Sequence, residues 1–74
     1  MRLVLVTRQG CHLCDDAVAL LRELGQEPEL ADVDVDDRLH DLYDWRVPVV
    51  IADGRVIAEG KIEREALAKA LEGH

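Results

Sequence analysis

The chain has 74 residues, 49% of them apolar and 34% charged, and carries a formal net charge of −7 from 16 acidic and 9 basic side chains. A chain of this size holds one domain whose folding buries only about 60% of the unfolded surface, and its composition is neither greasy enough to span a membrane nor polar enough to stay disordered. The negative field repels nucleic-acid phosphates and anionic lipid. The expectation is one soluble, monomeric domain over residues 1–74 with no nucleic-acid or membrane partner.

The opening Met1-Arg2-Leu3-Val4-Leu5-Val6-Thr7 starts basic and apolar like a secretion signal. Its apolar run is too brief, however, and no small-residue cleavage site follows. It reads as a first strand, central in a sheet, because a continuous run of branched residues suits burial on both faces. Ala17, Leu20, Leu21 and Leu24 then recur at helical spacing, with Gly25 placed to end a helix that begins near Cys11. Residues Ala31 to Asp36 alternate apolar with acidic, the period of an edge strand wet on one face, and such an acidic row discourages pairing with a second molecule.

Asp36 or Asp37 can cap a short second helix whose apolar stripe is Leu39, Leu42 and Tyr43. Pro48 disfavours helical geometry in Val47 and stops that helix by Arg46. Pro48 to Ala52 and Arg55 to Ala58 flank Asp53-Gly54, a two-residue hairpin signal. Ile62, Ala66, Leu67, Ala70 and Leu71 give a final amphipathic helix. The order β-α-β-α-β-β-α, with a right-handed first crossover, places the first and third helices on one face of a four-stranded mixed sheet and the second helix on the other. The expected architecture is a three-layer α/β/α sandwich.

The chemistry concentrates in Cys11-His12-Leu13-Cys14, between the first strand and the first helix. A disulfide across so short a loop restricts the unfolded chain little, so this spacing favours reactivity over stapling. At a helix N-terminus, unpaired N–H groups and the helix dipole stabilise a thiolate at Cys11, while Cys14, one turn further in, is more buried. Cys11 is then the attacking sulfur and Cys14 the resolving thiol. Arg8 reads as a solvated loop charge that, with His12, can add positive potential near Cys11; Asp15 and Asp16 oppose thiolate formation. Tyr43 reads as core, Trp45 either borders the site or covers the end of the core, and His40 is exposed on the second helix.

The chain resembles the glutaredoxin-like branch of the thioredoxin superfamily. The resemblance runs from Thr7-Arg8-Gln9-Gly10 through Cys11-His12-Leu13-Cys14, the acidic second strand and Arg46-Val47-Pro48-Val49 to the Asp53-Gly54 hairpin and the terminal helix. It implies a thioredoxin fold and a cis Val47-Pro48 bond facing the redox pair. It also implies that Val47 backbone groups pair with an extended substrate or glutathione, as in added-strand recognition. The expected catalytic residues are Cys11 and Cys14, and the expected substrate-binding residues are Arg8, His12, Leu13, Val47 and Pro48. Glutaredoxins that use glutathione commonly carry Pro and an aromatic residue where this chain has His12 and Leu13, and paired glycines where it has Glu59-Gly60-Lys61. The reductant therefore stays open between glutathione, with Arg8 or Lys61 receiving a carboxylate, another low-molecular-weight thiol, and a thioredoxin-type reductase.

No metal or tightly bound cofactor is expected. Closed zinc needs about four ligands, and beyond the cysteine pair the chain offers only His12, His40 and His74. An iron–sulfur cluster shared between subunits, known in the wider family, is not called for by any feature of the chain. The leading expectation is a cytoplasmic thiol–disulfide oxidoreductase acting on disulfide-containing proteins or small mixed disulfides. The alternative is a non-catalytic module that binds a partner, senses redox state or holds a metal.

Overall fold

The computed structural model describes residues 1–73; His74, considered above as a zinc ligand, lies outside them. Seven elements follow in the expected order: β1 (Leu3–Thr7), α1 (His12–Glu23), β2 (Glu29–Asp32), α2 (Asp37–Tyr43), β3 (Val49–Ala52), β4 (Arg55–Glu59) and α3 (Arg64–Glu72). The strands form one mixed sheet in the order β2-β1-β3-β4. β1 pairs parallel with β2 and antiparallel with β3, and β3 pairs antiparallel with β4. β1 is thus internal and β2 is an edge, as the hydrophobic patterns indicate.

Alternation along the two inner strands divides the core between the sheet faces. Leu3 and Leu5 of β1 and Val50 and Ala52 of β3 meet Ala17 and Leu21 of α1 and Leu67 of α3 on one face. Val6 and Val49 point the other way, towards Val33, Leu39 and Tyr43. In β4 the pairing shifts register opposite Val50 and Ile51, and Ile57 and Ala58 both pack on the α1/α3 face. A bulge that adds one residue to a strand has this effect. The hairpin turn Asp53-Gly54 takes φ values of 50° and 83°, the left-handed pair that a two-residue connection needs.

Helix ends follow from local hydrogen bonding. α1 stops in a Schellman motif, in which the Gly25 N–H donates to Arg22 O (3.0 Å) and the Gln26 N–H to Leu21 O (2.9 Å), with Gly25 at φ 78°. Asp36, of the two candidates, caps α2 by accepting from the N–H groups of Arg38 (2.9 Å) and Leu39 (3.1 Å).

Three expectations need correction. The second strand ends at Asp32, because the Asp32 carboxylate accepts the Asp34 N–H (2.8 Å) and its carbonyl accepts the Val35 N–H (3.2 Å). An Asp folding its side chain onto the backbone two residues on makes a turn, so Val33 is buried while Val35 is 81% exposed. Leu42 lies off the packed stripe of α2 and is 54% exposed. Ala66 is exposed on α3, and Ile62 packs on the core from ahead of the helix.

Candidate functional site

The motif sits where β1 leaves the sheet. Arg8, Gln9, Gly10 and Cys11 form a turn closed by a Cys11 N–H to Arg8 O bond of 3.3 Å, and Gly10 takes φ 75°. Cys11 is the N-cap residue of α1, in extended conformation. Its Sγ accepts the Cys14 N–H at 3.2 Å, and its carbonyl accepts the Asp15 N–H at 3.2 Å. The two free thiols therefore live in different surroundings. Cys11 is half-buried, whereas Cys14 is 2% exposed and belongs to the core. Burial, reinforced by its hydrogen bond with Cys11, pushes the Cys14 thiol up to about 12, since removal from water disfavours the charged form.

The segment from Asp44 to Pro48 closes the other side. Register pairs Val6 with Val49, so the start of β3 lies beside the end of β1 from which the motif emerges. The Val47-Pro48 bond is cis, as the family resemblance implies. The Pro48 side chain is buried and its carbonyl accepts the Gly60 N–H at 2.8 Å. Val47 packs partly into the smaller core, so the exposed part of this wall is Trp45 and Arg46 with the accessible part of Val47.

Arg8 departs from expectation. Instead of standing in solvent, it joins the two sides of the site: Nε and Nη2 each donate to the Asp34 carboxylate at 2.9 Å, Nη1 donates to Asp44 O at 3.0 Å, and Nη2 also contacts the Asp44 carboxylate. These carboxylates raise the guanidinium pKa further, and the Arg8 hydrogen bonds hold the Asp34 carboxyl below its ordinary 3.8. An arginine so engaged is occupied by internal carboxylates and is poorly placed to receive one from a substrate. Asp34 and Asp44 lie 26 and 36 residues away in the chain, and no local sequence pattern signals so distant a pairing.

His12 is exposed, its side chain 87% accessible, with Nε2 at 3.4 Å from Asp16. Leu13 is 39% exposed. It lines a groove of about 350 Å³ with Asp16, Ala17, Leu20, Lys61 and Ile62. Lys61 is exposed and forms no ion pair among the described residues. Trp45 covers no part of the core, being 92% exposed. Asp34, His40 and Asp44 bring ligand-type atoms within 4.8 Å of one another, but Arg8 already binds both carboxylates, and neither cysteine belongs to this group.

Comparison with known proteins bears on the fold and the family. No curated protein matches the chain. The X-ray structure of the Northeast Structural Genomics target protein XcR50 from X. campestris is similar: 31% identical, with 97% of each chain covered and a TM-score of 0.84. The fold is thioredoxin-like, and no helix among the described residues is long and apolar enough to cross a membrane. The model of the glutaredoxin-like domain (DUF836) matches residues 2–72, and with nearly the whole length accounted for, the chain belongs to the glutaredoxin-like domain family.

Proposed function

We propose that the protein is a small thiol–disulfide oxidoreductase in which Cys11 is the nucleophile and Cys14 the resolving thiol. The observation that carries this reading is the asymmetry of the pair: Cys11 sulfur sits half-exposed at a helix N-terminus accepting the Cys14 N–H, and Cys14 is buried with its proton held up to about pH 12. In the first step Cys11 thiolate attacks a substrate disulfide, forming a mixed disulfide and expelling one substrate thiolate. In the second, Cys14 sulfur attacks Cys11 sulfur, closing the intramolecular disulfide. The second substrate sulfur departs with the electron pair and takes up the Cys14 proton. A thiol of low molecular weight or a thioredoxin-type reductase then returns two electrons to the pair.

In this reading an extended substrate lies along Val47, with His12 and Leu13 flanking Cys11 in sequence. The groove beside Leu13 supplies Lys61 for the carboxylate of a small thiol such as glutathione. Neither metal nor organic cofactor takes part in these steps. A monomer in a reducing compartment such as the cytoplasm is the setting that keeps such a pair ready to reduce others.

Reduction of a small mixed disulfide tests the reading, with glutathione and separately with thioredoxin reductase as donor, on the parent, Cys11→Ser and Cys14→Ser proteins. Loss of turnover in both variants supports the dithiol route. Turnover retained in Cys14→Ser but not in Cys11→Ser assigns a monothiol route with glutathione. A parent protein inactive with both donors returns the chain to the alternative of a binding or sensing module.

A further inference from the structure

Trp45 is the chain's single tryptophan, and at 92% exposure it is the most exposed of the large apolar residues described. Its exposure does not come from a loose segment. On one side Asp44 is held through its N–H to His40 O (3.1 Å), its carbonyl from Arg8 (3.0 Å) and its carboxylate against the same guanidinium. On the other, the Arg46 N–H donates to Tyr43 O (2.9 Å), its guanidinium binds Glu59 (2.6 Å) and it lies over the Tyr43 ring at 5.0 Å. A fixed backbone thus presents an indole to solvent. Tryptophan displayed in this way is the side chain most enriched among residues that dominate protein association.

The surroundings select the partner's charge. Leu42, 54% exposed, lies three residues before Trp45, and the exposed Asp41 lies one helical turn before it. Between residues 32 and 46 there are six aspartates against two arginines. Of these two, Arg46 is taken by Glu59, while Arg38 stands exposed on α2, three residues before Asp41. The acidic excess is that of six carboxylates over one guanidinium unpaired among the described residues, less Asp34 and Asp44, which Arg8 binds from outside the stretch. An exposed indole four residues from the exposed Asp41 is a seat for a cation, which the ring quadrupole and the acid attract together. A second copy of this chain, itself at −7, is repelled from this patch.

We propose that Trp45, Leu42 and Asp41 form the docking point for a lysine- or arginine-bearing segment of the protein whose disulfide is reduced. The inference rests on the oxidoreductase reading above and adds the substrate's chemistry to it. Arg8 links Asp44 to the turn that carries Cys11, and Val47 follows Trp45 by two residues. The indole is thereby tied, through Asp44 and Arg8, to the turn that carries Cys11.

Because Trp45 is the only tryptophan, its emission reports binding without any turnover. Two peptides identical except for lysines or glutamates flanking a central serine are titrated against the parent and Asp41→Asn. The expected result is a saturable emission shift with the lysine peptide, binding at least about tenfold tighter than the glutamate peptide and weakening with salt. It is smaller in Asp41→Asn. With the serine replaced by a cysteine in a mixed disulfide, the parent shows a lower KM for the lysine peptide, and the ratio of the two KM values narrows several-fold in Trp45→Ala and in Asp41→Asn.

Equal emission changes with both peptides, or an unchanged KM ratio in Trp45→Ala, overturn the proposal. An emission shift produced by raising the protein concentration alone also overturns it, by assigning the surface to self-association. Absence of turnover with every disulfide, while the lysine peptide still shifts the emission, sinks the oxidoreductase reading and leaves the cationic docking site standing.

Discussion

The two faces of the sheet are held by different forces. On the α1/α3 face seven buried residues, Leu3, Leu5, Ala17, Leu21, Val50, Ala52 and Leu67, are backed by a rim of partly buried side chains. On the α2 face only Val6, Val33 and Val49 are buried, and α2 itself contributes no buried residue. What α2 lacks in apolar contact it replaces with polar ties, namely the Asp36 cap and the Arg8 bonds to Asp34 and Asp44. Apolar burial is short-ranged and insensitive to salt or acid near neutrality, whereas exposed ion pairs yield to both. One layer is fastened by area and the other by charge. The layer fastened by charge carries the Asp44 to Pro48 wall of the candidate site.

The contrast is broken most severely at Leu21. Leu21→Ala removes a fully buried side chain from the larger core and is expected to cost about 2–5 kcal/mol by chemical denaturation, shifting both layers together in one transition. A loss below about 1 kcal/mol would mean that the two cores share the load more evenly than their burial indicates.

Next is the alkaline limb. The Cys14 thiol titrates at 9.0 in an ordinary setting and is raised to about 12 in the fold. Above pH 9 the unfolded chain therefore releases a proton that the folded chain keeps, and stability falls as pH rises towards 12. The slope is at most about 1.4 kcal/mol per pH unit. Denaturation of the reduced protein across that range, compared with Cys14→Ala, isolates this contribution; equal slopes would remove Cys14 from the buried side of the ledger.

Smaller again is Asp36→Ala, which deletes the α2 cap at a cost of about 1 kcal/mol. Amide exchange is expected to quicken in residues 37–43 well before it does in α1, and equal quickening in both helices would contradict the separation of the layers.

The smallest change in global stability is expected for Arg8→Met. The denaturation midpoint moves little because ion pairs still open to solvent, with Arg8 and Asp34 side chains 29% and 49% accessible, contribute little, while amides of α2 and of residues 44–47 lose protection. Acid sharpens the same point. Arg8 holds the Asp34 carboxyl below 3.8, so the pair stabilises the fold above that pH and its contribution is lost as pH falls through the lowered folded value. Resonances of α2 should respond to acid before those of α1, and in Asp34→Asn this early response should vanish.

Much of this arrangement is legible in the residues themselves. The apolar run of β1, the Asp53-Gly54 turn and the Gly25 stop each rest on chemistry confined to a few neighbouring positions, and each stands where its pattern places it. The division between a half-exposed Cys11 and a buried Cys14 also follows from one helical turn. Reading fails where a distant partner or a competing local bond decides. Alternation carries the second strand on to Asp36, yet the Asp32 side chain turns the chain after two residues, burying Val33 and exposing Val35. Arg8 reads as solvated because its carboxylates lie on other elements. Leu42 reads as packing because a short helix offers too few turns to fix which apolar residue faces inward, and α2 has only seven residues.

The bond from the Cys14 N–H to Cys11 sulfur makes one atom serve two ends. It is the acceptor that closes the first turn of α1, and under the proposed function it is also the sulfur offered for exchange. A sulfur tied into a disulfide is a poorer acceptor than that of a reduced cysteine, so in the proposed cycle oxidation loosens the start of the helix and reduction tightens it. By thermodynamic linkage, whatever the helix gains from its sulfur cap in the reduced protein is returned as a greater tendency of the oxidised pair to take electrons. Helix stability and electron affinity are in this sense a single quantity measured in two ways, and residues along the exposed face of α1, remote from either cysteine, become means of tuning the redox poise of the chain.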